Sequence, residues 1–260
     1  MSEPIYTRQG ASPGFKGRRA VVTGASQGLG YAIARVLANE GSDVLLLDVN
    51  EDAGRKAAAN CGAAGVRAEF HACDVADDAA VAAAAARAGE LWDGVDYLVN
   101  NAGIYPRTAT CEMAEADWQR VLGINLGGAF HCVKHFVPLM RGRPGAAIVN
   151  ISSGRGLEGA PRGAAYSSSK AGLLGLTRSL ALEFAPAGIR VNALVPGLTD
   201  TAQPRQERGD AELKLAGQKI PLGRIGEPID IARGVAFLLS DEAAYMTGQA
   251  LVINGGSVMR

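Results

Sequence analysis

Short apolar runs alternate with longer segments of helical periodicity along most of this chain. Arg19–Thr23 is one such run, and in Gly28–Asn39 behind it Leu29, Ile33 and Val36 recur at the spacing of one helix face. The predicted strands lie within 19–23, 43–49, 67–75, 95–103, 146–153, 189–197 and 250–256, and the predicted helices within 28–39, 51–60, 77–91, 116–140, 165–183 and 228–239.

This alternation predicts the class of fold. Strands that are apolar throughout, with helices between them, indicate a parallel sheet covered on both faces. We therefore expect one doubly wound α/β domain of about seven strands over residues 17–260. Residues 1–16 are rich in Pro, Gly and polar side chains, which predicts a flexible arm before the first strand.

Length and charge exclude several classes of protein. The 260 residues suit one large domain with a sizeable core. The 26 basic and 26 acidic residues balance, unlike the basic footprint of a nucleic-acid binder. No apolar run approaches the roughly 18 residues of a membrane span, and the amino terminus has no apolar core typical of a secretory signal. We expect neither a nucleic acid nor a membrane as partner.

The cysteines predict a reducing compartment. Cys61, Cys73, Cys111 and Cys132 show no C-x-x-C spacing, so we expect no metal site and no redox pair. Single cysteines in a chain of this size suit a cytoplasmic setting.

A glycine-rich turn follows the first predicted strand. V-V-T-G-A-S-Q-G-L-G places Gly24, Gly28 and Gly30 before a helix whose free N–H groups can bind a pyrophosphate. The spacing is G-x-x-x-G-x-G rather than G-x-G-x-x-G, and alone it also fits a plain tight turn. The strand before it and the helix after it favour a dinucleotide site, with Ser26, Gln27 and Leu29 as further contacts.

Asp48 ends the second predicted strand and bears on the choice of cofactor. A carboxylate at this position can accept hydrogen bonds from the adenosine ribose hydroxyls and repels a 2′-phosphate. Gln27, Val49 and Asn50 offer no positive charge to such a phosphate. The pattern favours NAD over NADP; the alternative is a solvated charge at a strand end.

The stretch Y-S-S-S-K places a phenol and an ammonium on one helix face, at Tyr166 and Lys170. An unperturbed tyrosine has a pKa of about 10, and a neighbouring ammonium favours the phenolate. The pair is therefore either an ordinary surface contact or a device that makes tyrosine a better base.

These motifs together resemble the short-chain dehydrogenase/reductase superfamily. T-G-A-S-Q-G-L-G, D-V at Asp74–Val75, N-N-A-G at Asn100–Gly103, I-S-S, Y-S-S-S-K and P-G occur in the family's order from about Lys16 to Gly256. The resemblance implies a single-domain Rossmann fold and an enzyme that transfers hydride between a nicotinamide cofactor and an alcohol or carbonyl substrate.

The resemblance also implies roles for individual residues. Tyr166 matches the acid/base, Ser153 the group that hydrogen-bonds the reacting oxygen, Lys170 the residue that tunes Tyr166 and holds the nicotinamide ribose, and Asn125 the residue that positions a water on a proton path. Besides Tyr166 and Lys170, it implies cofactor contacts at Asp74, Val75, Asn101, Ala102, Gly103, Pro196, Gly197, Thr199 and Thr201.

The substrate is less constrained than the chemistry. Tyr105, Arg155, Glu158 and Arg205 are candidate substrate contacts, the last within a polar segment at about 198–219 that is often a mobile lid in the family. Arg155 and Glu158 favour a sugar or polyol, and an acidic substrate fits nearly as well. The aromatic content of 5% argues mildly against large flat ligands.

Two other functions stay open at this point. One is a ketone reductase, such as a reductase of 3-oxoacyl thioesters, although such enzymes usually favour NADP. The other is an NAD-binding regulator on the same fold without turnover, although regulators usually lose part of the catalytic set.

The predicted helix at 165–183 carries apolar residues on more than one face, which indicates burial on more than one face. These residues are Leu173, Leu174, Leu176, Leu180, Leu182 and, just beyond it, Phe184. We predict a homotetramer, in line with the assemblies typical of the family.

Overall fold

A computed structural model describes residues 15–207 and 209–259. The predicted arm lies outside the described residues except for Phe15 and Lys16. Phe15 is buried and packs edge-on against Tyr97, with ring centroids 5.3 Å apart. The chain is therefore docked on the domain from Phe15 onward.

Seven strands form one parallel sheet, in the order β3-β2-β1-β4-β5-β6-β7. Every adjacent pair is parallel, which confirms the predicted doubly wound Rossmann fold. The strands are β1 Arg19–Thr23, β2 Asp43–Asp48, β3 Ala68–Ala72, β4 Tyr97–Asn100, β5 Ala147–Ile151, β6 Arg190–Pro196 and β7 Ala250–Ile253.

Helices cover both faces of the sheet. They are α1 Gly28–Asn39, α2 Glu51–Gly62, α3 Asp78–Leu91, α4 Glu115–Leu122, α5 Gly128–Met140, α6 Gly154–Glu158, α7 Ala164–Phe184, α8 Ala202–Glu207, α9 Asp210–Gln218 and α10 Pro228–Leu239. Among the described residues, none of the helices combines the length and apolarity needed to cross a bilayer.

The core has two layers because alternate strand residues point to opposite faces. On one face, Val22 belongs to a buried cluster with Ile33 of α1 and Val235 of α10. On the other, Val21 belongs to a second cluster with Phe136 of α5 and Leu180 of α7. The near-continuous apolar strands follow from this burial on both sides.

One predicted helix is interrupted in the structure. The segment predicted as a helix at 116–140 consists of α4 and α5 joined by a π-helical turn at Gly123–Gly127. Single π turns inside helices occur often at functional sites, and this one carries Asn125. The apolar spacing of the segment predicts only that it is helical, so it did not reveal this turn.

The order of the strands determines where a ligand can bind. The chain runs outward from β1 through β2 to β3, then returns to the other side of β1 at β4. A crevice opens beyond the carboxyl ends of β1 and β4, where ligands bind in open α/β sheets. The loops after β1, β2, β4, β5 and β6 all leave this edge.

Candidate active site

The glycine turn between β1 and α1 is tight because its glycines permit close backbone contacts. Gly24 has φ +61°, and a Cβ on it would lie 2.9 Å from Ala102 Cα. A Cβ on Gly30 would lie 2.1 Å from the carbonyl oxygen of Gly24. Gln27 precedes α1 without a side-chain cap, so the first N–H groups of the helix stay available to a phosphate.

Asp48 joins the glycine turn to the end of β2. Its Oδ2 accepts a hydrogen bond of 3.0 Å from Ser26 N, and its Oδ1 accepts one of 3.0 Å from Asn50 N. Each carboxylate oxygen has a second lone pair. The carboxylate is thus fixed at the rim of the crevice with capacity left for ribose hydroxyls.

Thr23 and Asn101 clamp the two central loops together. Thr23 Oγ1 accepts from Asn101 N at 2.9 Å and from Ala102 N at 3.0 Å. Asn101 Nδ2 donates to the carbonyl oxygens of Thr23 and Gly24 at 2.9 and 3.0 Å. Sequence reasoning did not single out Thr23; its position directly before the first glycine is the signal that marks it.

The D-V pair, Asp74 and Val75, lies beyond β3 in the loop that leads to α3. Asp74 Oδ1 accepts from Ala76 N at 2.9 Å, which holds the turn before α3. Val75 is buried, and its carbonyl oxygen accepts from His131 Nδ1 at 2.9 Å. Val75 also packs closely on Gly128, where a Cβ would lie 2.6 Å from its Cγ2.

The loop after β6 closes the other side. Gly197 N donates to the carbonyl oxygen of Ile253 at 2.9 Å, and a Cβ on Gly197 would lie 2.7 Å from Asn254 Cα. The Thr199 hydroxyl donates to Gly197 O at 3.0 Å, and Thr199 is buried. Thr201 lies opposite Gly28, so this loop reaches across to the glycine turn.

Tyr166 and Lys170 lie near the start of α7, with Lys170 Nζ 5.7 Å from the centroid of the Tyr166 ring. Lys170 is buried and donates to the carbonyl oxygen of Ile151 at 2.8 Å. Burial lowers the pKa of Lys170 to about 8, because it disfavours the ammonium. Ser153 follows β5, and its Oγ accepts from Arg155 N at 3.1 Å as the cap of α6.

Asn125 connects the loop after β4 to α7. Its Oδ1 accepts from Ile104 N at 2.8 Å, and its Nδ2 donates to Ile104 O and to Ser169 Oγ, each at 3.0 Å. Ser169 Oγ in turn donates to the carbonyl oxygen of Tyr166 at 2.7 Å. A Cβ on Gly103 would lie 3.2 Å from Asn125 Oδ1 and 3.4 Å from Lys170 Nζ, so these two side chains converge beneath the loop.

A cavity of about 810 Å³ adjoins this constellation. Three of the four predicted substrate residues, Tyr105, Arg155 and Glu158, line it together with Ser153 and Tyr166. Five further predicted cofactor contacts line it as well: Leu29, Pro196, Gly197, Thr199 and Thr201. Lining residues that the sequence analysis did not single out include Leu215 of the predicted lid, and Ser257 and Val258 of the carboxyl-terminal segment.

Arg205, the fourth predicted substrate residue, is not among the residues that line the cavity. Its guanidinium pairs with Asp200 at 2.6 and 2.8 Å and with Asp210 at 2.7 Å. Because its charge is committed to these two carboxylates, Arg205 acts within the lid segment rather than toward a ligand.

Potential metal ligands are dispersed in the part of the chain that the structure describes. Across residues 15–207 and 209–259, no three or more His, Cys, Asp or Glu side chains lie grouped as a metal ion would need.

Known proteins share this architecture along nearly the whole chain. A family model described as enoyl-(acyl carrier protein) reductase matches residues 24–258. The cis-4-hydroxycyclohexanecarboxylate dehydrogenase of Sinomonas cyclohexanicum is 42% identical over 243 residues, which cover 93% of this chain and 97% of that protein.

Solved structures also match nearly the whole chain. A short-chain dehydrogenase/reductase from Brucella melitensis, titled glucose/ribitol dehydrogenase, matches with a TM-score of 0.90 and 32% identity, covering 96% of this chain and 100% of that one. The L-sorbose reductase of Gluconobacter frateurii, complexed with NADPH and L-sorbose, matches with a TM-score of 0.90 and 30% identity, over the same shares of the two chains.

The chain therefore belongs to the short-chain dehydrogenase/reductase family, as its motifs predict. It is an oxidoreductase of a family that binds a nicotinamide cofactor.

The buried ammonium of Lys170 gives a testable dependence of stability on pH. Its folded pKa of about 8 lies below the ordinary 10.5, so the folded state bears the cost of a buried charge below pH 8 and loses that cost as the pH rises toward 10.5. We expect Lys170→Met to gain stability relative to the wild type at pH 7, and this gain to shrink between pH 8 and 10.5. Urea unfolding of both proteins across this range measures the difference.

Lys56→Met, at an exposed lysine of α2, is the matched control and should show no such trend. A difference between Lys170→Met and the wild type that does not vary with pH would contradict the assignment of a desolvated ammonium at Lys170.

Proposed function

We propose that this protein is an NAD-dependent dehydrogenase that oxidises a polar secondary alcohol, or reduces the matching ketone, with Tyr166 as acid and base. The observation that carries the proposal is the cavity in which Tyr166 and Ser153 both open toward a ligand while the buried ammonium of Lys170 lies beneath the Tyr166 ring. This arrangement places one proton-transfer group and one hydroxyl beside the same ligand.

The residues of the chain divide the chemistry between them. During oxidation, Tyr166 Oη accepts the proton of the substrate hydroxyl, and the Ser153 hydroxyl hydrogen-bonds the reacting oxygen. The nearby positive charge of Lys170 stabilises the phenolate that accepts this proton. When bound, the nicotinamide supplies the hydride acceptor. Asn125 orders the loop and helix between which the proton passes toward solvent.

The residues at the carboxyl edge suit a dinucleotide. The free N–H groups at the start of α1 would bind its pyrophosphate, and Asp48 its adenosine ribose. Asp74 and Val75 would border the adenine, and Thr199 the nicotinamide amide.

Asp48 supports NAD over NADP. The L-sorbose reductase of the same fold is complexed with NADPH, so the proposal of NAD rests on the local charges of this chain. Here a fixed carboxylate occupies the end of β2, and a 2′-phosphate next to it would meet the repulsion of like charges.

The cavity supports a small polar substrate, a sugar or polyol in first place. Its charged residues nearly balance: Arg107, Arg155 and Lys219 against Glu158 and Glu212. A neutral molecule with several hydroxyls can bond to both kinds. The names of the relatives, glucose/ribitol dehydrogenase, sorbose reductase and hydroxycyclohexanecarboxylate dehydrogenase, point to hydroxylated substrates, the last with a carboxylate that a basic side chain such as Arg155 could bind.

A second candidate is the reduction of the acyl chain of a thioester substrate, either a 3-oxo group or the enoyl double bond that the description of the matching family model names. The carboxylate at Asp48 weighs against it, because such reductases usually take NADP. Assays with acyl thioesters and each reduced cofactor distinguish the two functions.

We propose a cytoplasmic setting for the protein. All four cysteines are free thiols, and three of them are buried. Burial raises the pKa of Cys61 and of Cys73 to about 11, which suits unreactive apolar packing in a reducing compartment.

The role of Tyr166 is tested by Tyr166→Phe. Removing the hydroxyl leaves the ring and its packing, so we expect NAD to bind within about threefold of the wild type while kcat falls by about a thousandfold, within the range of a lost acid/base group. Initial rates and calorimetric titration with NAD measure the two effects. A variant with wild-type turnover would remove Tyr166 from the mechanism.

The choice of cofactor is tested by Asp48→Asn. The amide keeps one acceptor for the backbone but loses the negative charge, so the preference for NAD over NADP in kcat/KM should fall by about tenfold or more, as expected for the loss of one close charge repulsion. Asp43→Asn, at the opposite end of β2, should leave the preference unchanged. The account of Asp48 is wrong if both variants keep the ratio of the wild type.

We also propose a homotetramer. The apolar residues that could support it are fewer than the sequence suggests, because some of those on α7 are buried within the chain. Of the apolar residues of α7, Leu173, Leu174 and Leu180 are buried within the chain itself, so they do not need a partner. Leu182 remains 81% exposed, and Phe130 of α5 is 52% exposed. Sedimentation velocity should show a tetramer; a monomer at micromolar concentration would contradict it.

A further inference from the structure

The ring of Tyr105 lies flat against the ring of Tyr166. The ring centroids are 4.0 Å apart and the ring planes differ by 22°. Both residues are partly exposed and both line the cavity. A stacked neighbour at this distance covers one face of the Tyr166 ring and leaves its edge, with the hydroxyl, to the cavity.

The backbone holds Tyr105 in this place. Asn125 bonds both the N–H and the carbonyl of Ile104, the residue directly before Tyr105. The same amide bonds Ser169, which bonds the backbone of Tyr166. One side chain thus sets the backbone on both sides of the contact, from which the two rings extend.

The start of α7 leaves room for the Tyr105 hydroxyl. A Cβ on Gly163 would lie 2.9 Å from that hydroxyl and 3.1 Å from the Cβ of Ala160. Gly163 has an ordinary negative φ of −127°, so its backbone conformation does not require glycine. The absence of a side chain there serves the packing of the Tyr105 ring.

We infer that Tyr105 is a positioning residue for Tyr166: its ring confines the catalytic phenol to one orientation and keeps water from one of its faces. This inference rests on the function proposed above. A misplacement of about 1 Å at a reacting group can cost on the order of a hundredfold in rate. The flat contact with Tyr105 limits such movement.

The test compares two substitutions. Tyr105→Phe keeps the ring and its stacking, so it should retain most of the kcat that Tyr105→Leu loses. Tyr105→Leu removes the stacking partner, and kcat should fall by about 10- to 100-fold. The affinity for NAD and the melting temperature should stay close to those of the wild type in both variants, which separates positioning from a general loss of structure. Tyr245→Leu, at a fully exposed tyrosine, is the matched control.

Proton NMR supplies a readout that needs no turnover. The Tyr105 ring current should displace the ring resonances of Tyr166, assigned with Tyr166→Phe. The displacement should persist in Tyr105→Phe and vanish in Tyr105→Leu.

Each other outcome overturns the inference. If Tyr105→Leu keeps the wild-type kcat, with or without a higher KM for the substrate, Tyr105 only lines the cavity and does not position Tyr166. Unmoved Tyr166 resonances would show that the rings do not stack in solution. A wild-type protein inert with every alcohol and ketone would refute the proposed function first, and the stack would then be a packing contact.

Discussion

The hydrogen bonds of Thr23 and Asn101 hold together the two loops on which the rest of the site depends. They lie where the sheet changes direction, between the carboxyl ends of β1 and β4. A parallel sheet directs all its carboxyl ends to one edge, but the reversal of strand order would leave these two loops apart. The hydrogen bonds of Thr23 and Asn101 hold these two loops side by side. They align the glycine turn with the loop whose next residues, Gly103 to Tyr105, lie against the start of α7.

A second constraint is electrostatic. Lys170 is buried, and its ammonium bonds a backbone carbonyl, whereas the lid cation Arg205 is neutralised by two carboxylates. A neutralised lysine would lend little positive charge to a neighbouring phenol. Burial next to the Tyr166 ring therefore costs stability, and in the proposed mechanism it keeps the positive charge of Lys170 available to the phenol. Asn125, in the π turn, contributes to the same site. Its amide bonds both the Ile104 backbone and Ser169 of α7, which fixes the separation of the loop and the helix.

The sequence predicted the class of fold and most of the strand and helix positions, because period and apolar runs report burial directly. Through the family's motifs it also predicted Asn125, Ser153, Tyr166 and Lys170 as one site. The structure brings these residues to the same edge of the sheet, and their catalytic roles stay a prediction. The bonds of Thr23 were missed because they join segments 78 and 79 residues apart in sequence. The π turn at Asn125 was missed for a different reason, since the apolar spacing of 116–140 is that of a helix and does not mark one local turn of another type. The sequence also could not show where Arg205 points. A charged side chain in the predicted lid can face a ligand or its own neighbours, and here the positions of Asp200 and Asp210 decide it.

We propose that this edge of the sheet assembles an NAD-dependent alcohol dehydrogenase. The most direct measurement is the initial rate of NADH or NADPH formation by the wild-type protein, across sugars, polyols, hydroxy acids and simple secondary alcohols. The account predicts turnover with NAD, faster than with NADP, on at least one class of hydroxylated substrate. Absence of turnover across the panel, in a protein that binds NAD by calorimetry, would contradict it.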